Sequence, residues 1–173
     1  MDTRPVTTLD NLLSLVSDAI AGAPLDAGFG RAMEAALVKG HTAAYLAAAA
    51  ERAGVKVDSG LFKGLSKAER ADIKSAVKEQ LDYLKGFIAA KEDMSDAAIK
   101  ARAAMYAGSV RATYGRSRHP GLPFYPTEGS ECMTNCRCSW QDDGGGSYSW
   151  VLDAKESCPT CLERAADNPY QVG

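Results

Sequence analysis

The first 131 residues of this 173-residue chain contain no cysteine, and the whole chain has only two histidines. A cysteine nucleophile would therefore have just two candidate bases, His41 and His119. No apolar run is long enough to span a membrane, since the longest candidate, residues 43–50, is short and rich in alanine. These absences argue against a membrane protein and leave few ways to build a thiol-dependent enzyme.

A targeting signal and a phosphate-binding loop are also missing. The first residues, MDTRP, lack the basic and then apolar layout of a signal peptide. The glycines at 144–146 lie between two predicted strands, whereas a phosphate-binding loop leads into a helix. The apolar content of 46% and charged content of 24% are those of a globular protein. We therefore expect a folded protein that stays in a cytoplasm and has no small-molecule substrate.

Charge is unevenly distributed along the chain, although the formal net charge is only −2. From His119 onward, three basic residues stand against eight acidic ones, which gives −5. The first 118 residues have 17 basic residues against 14 acidic ones, which gives +3. Phosphate binding requires clustered lysine and arginine, so the acidic C-terminal part is not expected to bind nucleic acid.

Four helices are predicted by apolar residues that repeat every three or four positions, over residues 9–21, 27–53, 66–88 and 95–114. Ser66 and Glu69 form a capping box at the start of the third. Gly30 and Gly40 disfavour the second by about 1 kcal/mol each relative to alanine. No segment before Gly115 alternates apolar and polar residues as a strand does. The predicted fold is mainly α, a helical bundle or an elongated helical array.

Composition changes after the fourth helix. Residues 115–130 contain three prolines and several glycines, typical of a linker or of extended chain laid over a surface. Residues 138–141 and 148–152 are predicted strands joined by the glycine turn, and residues 160–166 a short helix. The predicted organisation is a helical domain at 1–114, a linker at 115–130 and a cysteine-rich subdomain at 131–173.

All five cysteines lie in this subdomain: Cys132, Cys136, Cys138, Cys158 and Cys161. The spacing is Cys-x3-Cys-x-Cys, then nineteen residues, then Cys-x2-Cys. Two thiolates separated by two residues can chelate one tetrahedral ion, and the hairpin would return the first group beside them. Clustered cysteines in a reducing compartment indicate metal rather than disulfides. The pattern therefore predicts a structural zinc site, in which the ion holds the small β-hairpin and the short helix together.

The spacing leaves the ligand set open. Cys158 and Cys161 are expected ligands, and two of Cys132, Cys136 and Cys138 complete the four. In an extended strand Cys136 and Cys138 point the same way, and the spacing of Cys132 and Cys136 also permits chelation. Two other interpretations of the cysteines are less favoured. A redox Cys-x2-Cys motif would be expected in a parallel-sheet setting, which the sequence does not predict. A set of disulfides would be expected to use an even number of cysteines, and the chain has five.

The histidines indicate no catalytic centre. His119 is a fallback metal ligand, but one histidine beside a proline in a loop is more often structural. His41 lies one helical turn from Leu37 and Tyr45, which predicts a partly buried histidine with satisfied hydrogen bonds. Four thiolates around zinc leave no open coordination position for water. We therefore expect a protein that is not an enzyme.

The fourth predicted helix carries basic residues that suggest a second kind of partner: Lys100, Arg102, Arg111, Arg116 and Arg118. Asp96 is its only acidic residue. This face is the best candidate in the chain for contact with DNA or an acidic protein. A solvated helix face is the simpler interpretation.

Three stretches carry a family resemblance: ARAAMYAGSVR at 101–111, LPFYP at 122–126 and TNCRCSW at 134–140. With WVL at 150–152, CPTC at 158–161 and NPY at 168–170, the chain resembles phage head morphogenesis proteins related to the minor head protein of phage Mu. The resemblance covers residues 65–173. In many of those proteins a CxxC precedes the Asn-Cys-Arg-Cys element, which has a histidine three residues ahead of its first cysteine. Here the order is reversed, and Met133 stands at that position.

The resemblance implies a low-copy virion component, associated with portal or capsid proteins and needed during head assembly. We expect such a non-enzymatic structural protein, located in the virion and, during assembly, in the host cytoplasm. The alternative is a zinc-containing nucleic-acid-binding or regulatory module that uses the basic fourth helix. An enzyme, such as a thiol-dependent hydrolase or a toxin, ranks third.

Overall fold

The computed structural model describes residues 8–54, 65–89, 94–131, 136–153 and 157–172. Within them the protein is mainly helical, with a small antiparallel sheet near the C-terminus, as predicted. The elements are α1 (Thr8–Gly22), α2 (Phe29–Ala53), α3 (Lys67–Ala89), α4 (Asp96–Met105), a 3-10 turn (Tyr106–Ser109), α5 (Val110–Arg118), β1 (Ser139–Gly144), β2 (Ser147–Val151), α6 (Pro159–Ala166) and β3 (Tyr170–Gln171). No helix in these described ranges has the length and apolar character that crossing a bilayer requires.

The first three helices follow the predicted periodicity closely. Helix α2 ends at Gly54, whose φ of 67° is the left-handed conformation that glycine supplies at helix ends. The capping box at the start of α3 forms: Ser66 N–H donates to Glu69 Oε2 (2.6 Å), and Glu69 N–H donates to Ser66 Oγ (3.2 Å). The hydroxyl of Tyr45 donates to the other oxygen of Glu69, so the cap also joins α3 to α2.

The predicted fourth helix differs from the structure in two ways. A 3-10 turn interrupts it, and the second half, α5, continues to Arg118 inside the segment expected to be a linker. The Ser109 hydroxyl donates to the carbonyl of Tyr106 (2.7 Å), a local bond that competes with α-helical geometry. Sequence periodicity does not register this interruption because the apolar stripe continues through it.

Helix α2 is the centre of the bundle and packs against α1, α3 and α5. The core contains the side chains of Ile20, Met33, Leu37, Ile73, Leu84 and Tyr106. At Gly40 the helices approach so closely that a Cβ atom would lie 2.5 Å from Val16 Cγ2 and 3.2 Å from Val110 Cγ2. Gly40 lowers the intrinsic helix propensity of α2. Its lack of a side chain, however, lets α1 and α5 pack closely against α2.

The chain after α5 lies against the bundle. Leu122, Tyr125 and Pro126 are buried, and Tyr125 Oη donates to the carbonyl of His119 (2.8 Å). Tyr125 also lies close to α5, since a Cβ on Gly115 would be 3.1 Å from its ring. The side chains of Arg116 and Glu128 form an ion pair. Of the two predicted descriptions of this segment, extended chain on a surface matches these contacts.

The C-terminal sheet has the order β1-β2-β3, and all pairs are antiparallel. The predicted hairpin forms, with Trp140 opposite Trp150, and Gly145 and Gly146 have the positive φ values of tight hairpin turns. β3 is absent from the sequence prediction, because a strand of two residues has no periodicity to detect. Helix α6 begins at Pro159, one residue earlier than predicted.

Candidate metal centre

The hairpin and α6 bring three thiols together. The sulfur atoms of Cys136, Cys138 and Cys161 all lie within 4.8 Å of one another. Cys136 and Cys138 precede β1, and Cys161 lies in the first turn of α6. All three are at most 3% exposed, so this group is enclosed by protein. Among the described cysteines, Cys136 and Cys138 are the two that lie beside Cys161 of the C-terminal knuckle.

Cys158 is the fourth thiol of the neighbourhood. It occupies the N-cap of α6, and its carbonyl accepts the N–H of Cys161 (3.0 Å), which closes the Cys-Pro-Thr-Cys turn. Its side chain packs against the buried cluster and interacts with the Cys161 thiol. Both cysteines therefore lie at the positive end of the α6 dipole, which favours thiolate over thiol.

The sequence also predicted two other candidate ligands, Cys132 and His119. Cys132 falls outside the residues that the structure describes. His119 rests edge-on against the ring of Tyr148, with centroids 5.2 Å apart. The group of possible metal ligands found among the described residues contains thiols alone. Burial and the nearby charge of Arg118 lower the pKa of His119, while Asp142 acts in the opposite direction.

The spacing of the thiols fits a four-coordinate ion. With metal–sulfur bonds of about 2.3 Å, a tetrahedron has edges of roughly 3.8 Å. The sulfur atoms of Cys136 and Cys161 are 3.7 Å apart. A disulfide would require about 2.05 Å, and Cys136, Cys138 and Cys161 form none. The three thiols therefore lie close enough together to hold a metal ion.

The thiol of Cys161 is poorly ionised on its own. Burial, followed by contacts with Cys138, Cys136 and Cys158, raises the pKa of the Cys161 thiol above its usual range. A bound divalent cation would reverse this preference, because it stabilises thiolate directly. Without such a charge, a thiol of raised pKa is a poor nucleophile.

An aromatic cluster surrounds the thiols: Phe124, Trp140, Trp150 and Tyr170. Their ring centroids are 4.9–5.5 Å apart, mostly in edge-to-face geometry, which is favourable for aromatic pairs. Phe124 comes from the segment after α5, and the Trp140 indole N–H donates to its carbonyl (2.8 Å). The guanidinium of Arg164 lies 4.0 Å from the Phe124 ring centroid. This cluster joins the thiol site to the chain that covers the bundle.

The side chain of Asn168 hydrogen-bonds to the backbone of Trp150 in β2, a role that the sequence did not predict. Its Oδ1 accepts the N–H of Trp150 (2.6 Å), and its Nδ2 donates to the Trp150 carbonyl (3.0 Å). The side-chain amide thus makes the two backbone hydrogen bonds that a neighbouring strand would otherwise make with Trp150, just before β3 begins. The available signal was the Asn168-Pro169-Tyr170 motif, which the family resemblance included without assigning a role.

The basic residues of the predicted fourth helix are mostly engaged within the chain. Four of the five contact aromatic rings or carboxylates of other elements: Arg102 with Phe87 and Tyr106, Arg111 with Asp10 (3.7 Å), Arg116 with Glu128, and Arg118 with Glu51 (3.4 Å). Lys100 is half-buried. The partners come from α1, α2, α3 and the segment after α5, so the helix sequence alone does not reveal them.

The hydrogen bonds of His41 are satisfied, as predicted, but the side chain is fully buried rather than partly buried. Its Nε2 lies 3.1 Å from Ser109 Oγ and its Nδ1 lies 2.7 Å from Thr113 Oγ1. Because the Ser109 hydroxyl donates to Tyr106, Ser109 accepts from Nε2–H, and Nδ1 accepts from Thr113. Burial, with a smaller contribution from Arg116, lowers the pKa of His41 to about 4. The neutral His41 side chain therefore joins α2 to the 3-10 turn and to α5.

Comparison with known proteins adds no relative. No protein-family model, curated protein or solved structure matches this chain.

Proposed function

We propose that this chain is a non-enzymatic structural or assembly protein of a bacteriophage head, in which one structural zinc ion holds the C-terminal hairpin to α6. The observation that carries the metal assignment is the enclosed group of Cys136, Cys138 and Cys161, with Cys158 beside it. Its 3.7 Å sulfur spacing and all-sulfur composition suit zinc, which prefers tetrahedral thiolate sites in structural roles.

A zinc ion would contribute folding free energy to the C-terminal subdomain, whose own hydrophobic core is small. The buried cluster around the thiols contains four residues, Cys136, Cys138, Trp150 and Cys161, with half-buried neighbours. So small a core gives little hydrophobic stabilisation, and metal binding contributes directly to the free energy of folding. The buried indole N–H of Trp150, which has no partner among the described residues, supplies a donor in the same cluster as the thiolates.

The chemistry of the site supports a role without catalysis. Four thiolates would close the coordination sphere, leaving no position for a reacting water. Both ring nitrogens of His41 are hydrogen-bonded in the helical core, and the ring of His119 packs on Tyr148, which disfavours either histidine as a base for a described cysteine. The phage assignment rests on the resemblance of residues 65–173 to head morphogenesis proteins.

The metal proposal is tested by elemental analysis of protein purified without chelators, with one zinc per chain expected. Four variants, Cys136→Ser, Cys138→Ser, Cys158→Ser and Cys161→Ser, should each lose most of the metal. The matched control is Cys132→Ser, which should retain it. A protein without stoichiometric metal would overturn the proposal, and metal loss only in Cys132→Ser would overturn the ligand set.

The assembly proposal is tested in phage particles. Mass spectrometry of purified heads should detect the chain in low copy, and cross-linking should connect it to portal or capsid proteins. Absence from particles, together with DNA binding that weakens steeply with salt, would favour the nucleic-acid-binding alternative. Selective alkylation of one cysteine in the zinc-loaded protein would instead favour an enzyme.

A further inference from the structure

A cavity of about 170 Å³ lies between α3, α5 and the chain at Thr127–Ser130, on the helical side of the molecule. Six polar side chains are buried in the described part of the protein, and four of them line this cavity: Gln80, Ser109, Thr113 and Ser130. A fifth, His41, bonds to two of those four. Buried polar groups are thus concentrated at one place, which is unusual for a core built only for packing.

Two of these groups lack partners. Gln80 is 7% exposed and Ser130 is 6% exposed, yet Gln80 Oε1 and Ser130 Oγ have no hydrogen-bond partner among the described residues. Leaving a buried polar atom unpaired is costly, and native structures rarely do so without a ligand or water to satisfy it. Since both side chains line the cavity, a molecule inside it is the natural partner.

The backbone at the edge of the cavity is strained. Thr127 lines the cavity with a φ of 74°, which a β-branched residue rarely adopts. Such strain persists only where surrounding contacts enforce it, and it concentrates at functional sites. Here Glu128 enforces it, because its N–H donates to the Tyr125 carbonyl (3.0 Å) and its carboxylate accepts the Tyr125 N–H (3.1 Å).

The lining disfavours an anionic ligand. Arg116 and Glu128 form an ion pair, so their charges offset each other at the cavity. Glu79 also lines the cavity and accepts a hydrogen bond from the Tyr83 hydroxyl (3.0 Å), and its carboxylate would repel an anion. The two lining atoms without a partner in the described ranges, Gln80 Oε1 and Ser130 Oγ, belong to neutral groups, which match a neutral polar ligand.

We propose that this cavity binds a carboxamide group, which offers both an N–H donor and a C=O acceptor to Gln80 and Ser130. The match holds whichever way the Gln80 amide is turned, because the ligand can present either function to either atom. The site is separate from the thiol cluster, so it does not depend on the proposed metal. The carboxamide can belong to a small molecule or to an Asn or Gln side chain of a protein partner.

The experiment is a titration of the isotope-labelled full chain with acetamide, followed by NMR. The Gln80 side-chain amide and the backbone amides of Gly129 and Ser130 should shift together, with half-saturation at roughly tens of millimolar for so small a ligand. Sodium acetate and methylammonium chloride at equal concentration are the controls. No saturable shift with acetamide, or equal shifts with either ion, overturns the proposal.

Two variants separate binding from folding. Gln80→Leu and Ser130→Ala should each weaken acetamide binding by about tenfold, the effect of losing one hydrogen bond. Neither should lower the midpoint of thermal unfolding, because each removes a buried oxygen atom that has no partner among the described residues. Unchanged acetamide affinity in both variants would contradict the site.

Two blocked tripeptides, Gly-Asn-Gly and Gly-Leu-Gly, then identify the source of the carboxamide. Binding of the Asn peptide more than about tenfold tighter than acetamide, with no matching gain for the Leu peptide, would support a protein partner. Equal affinity of acetamide and the Asn peptide would support a small free amide.

Discussion

His41 shows how one buried residue makes the helical bundle sensitive to acid. Both of its ring nitrogens are hydrogen-bonded, and the neutral ring fits a buried site where the nearby charge of Arg116 disfavours its protonated form. Its folded-state pKa of about 4 lies below the ordinary value of 6.5. The unfolded chain therefore binds the proton more readily than the folded protein does.

The free energy of unfolding should consequently fall as the pH falls from about 6.5 to about 4, by up to about 3 kcal/mol from this residue. The contribution is fully present above pH 6.5 and is lost as the pH drops toward the folded-state pKa. Urea unfolding followed by far-UV circular dichroism at several pH values measures it. His41→Gln, which keeps hydrogen-bonding capacity but does not titrate, is the comparison. Identical pH slopes in the two proteins would contradict this account.

Thr127 is the second residue whose local conformation has a measurable consequence. It follows Pro126 in a turn that Glu128 N–H closes onto the Tyr125 carbonyl, at the position where a positive φ favours glycine. Thr127→Gly should raise the free energy of unfolding by up to about 1 kcal/mol, since relief of strain exceeds the entropic cost of glycine. Thr127→Ala keeps the Cβ atom and should show no such gain. Equal effects of the two substitutions in urea unfolding would argue against strain.

At the scale of elements, α2 organises the helical part through one close crossing. Val16 of α1 and Val110 of α5 both meet α2 at Gly40, and all three residues are buried. The branched valine side chains have little rotamer freedom with which to yield. The crossing therefore sets how near three helices can come to one another.

Gly40→Ala should destabilise the protein by about 1–3 kcal/mol, because the added methyl overpacks the crossing. Gly30→Ala in the same helix is the matched control: it is exposed, and a Cβ there meets nothing within 4 Å. That substitution should stabilise the protein by about 0.5–1 kcal/mol through helix propensity alone. Thermal and urea unfolding of the two variants measure the contrast. Stabilisation by both would show that the helices can separate freely.

For the whole molecule, the described structure combines a helical bundle with a small sheet built around thiols. Both tryptophans of the chain, Trp140 and Trp150, lie beside those thiols, whereas the long helices lie in the bundle. Tryptophan fluorescence therefore reports on the C-terminal subdomain, and far-UV circular dichroism reports mainly on the helices. The two signals can be followed independently in one sample.

Removal of the metal by a chelator, or the substitution Cys161→Ser, should shift tryptophan emission to the red while most helical signal remains. The physical reason is that the proposed zinc ion contributes folding free energy to the subdomain, while the bundle has its own core. Readdition of zinc should restore emission in the wild type and not in the variant. Loss of the whole helical signal on chelation would contradict the description in two parts.

The amino-acid sequence by itself determined the features that depend on neighbours a few positions apart. The repeat of apolar residues defined the helices, Ser66 and Glu69 defined a cap, and the glycines after β1 defined the hairpin turn. The cysteine spacing likewise indicated a metal site. Each of these signals acts within one turn or one strand, so a linear pattern contains it.

Tertiary structure decided which distant groups meet. It placed Cys136 and Cys138 beside Cys161, added β3 to the hairpin, and paired the arginines of the interrupted helix with partners from other elements. It also gathered Gln80 and Ser130, fifty residues apart, around one cavity. These contacts join residues that are far apart in the sequence. They depend on how the elements pack, so the spacing of residues along the chain does not predict them.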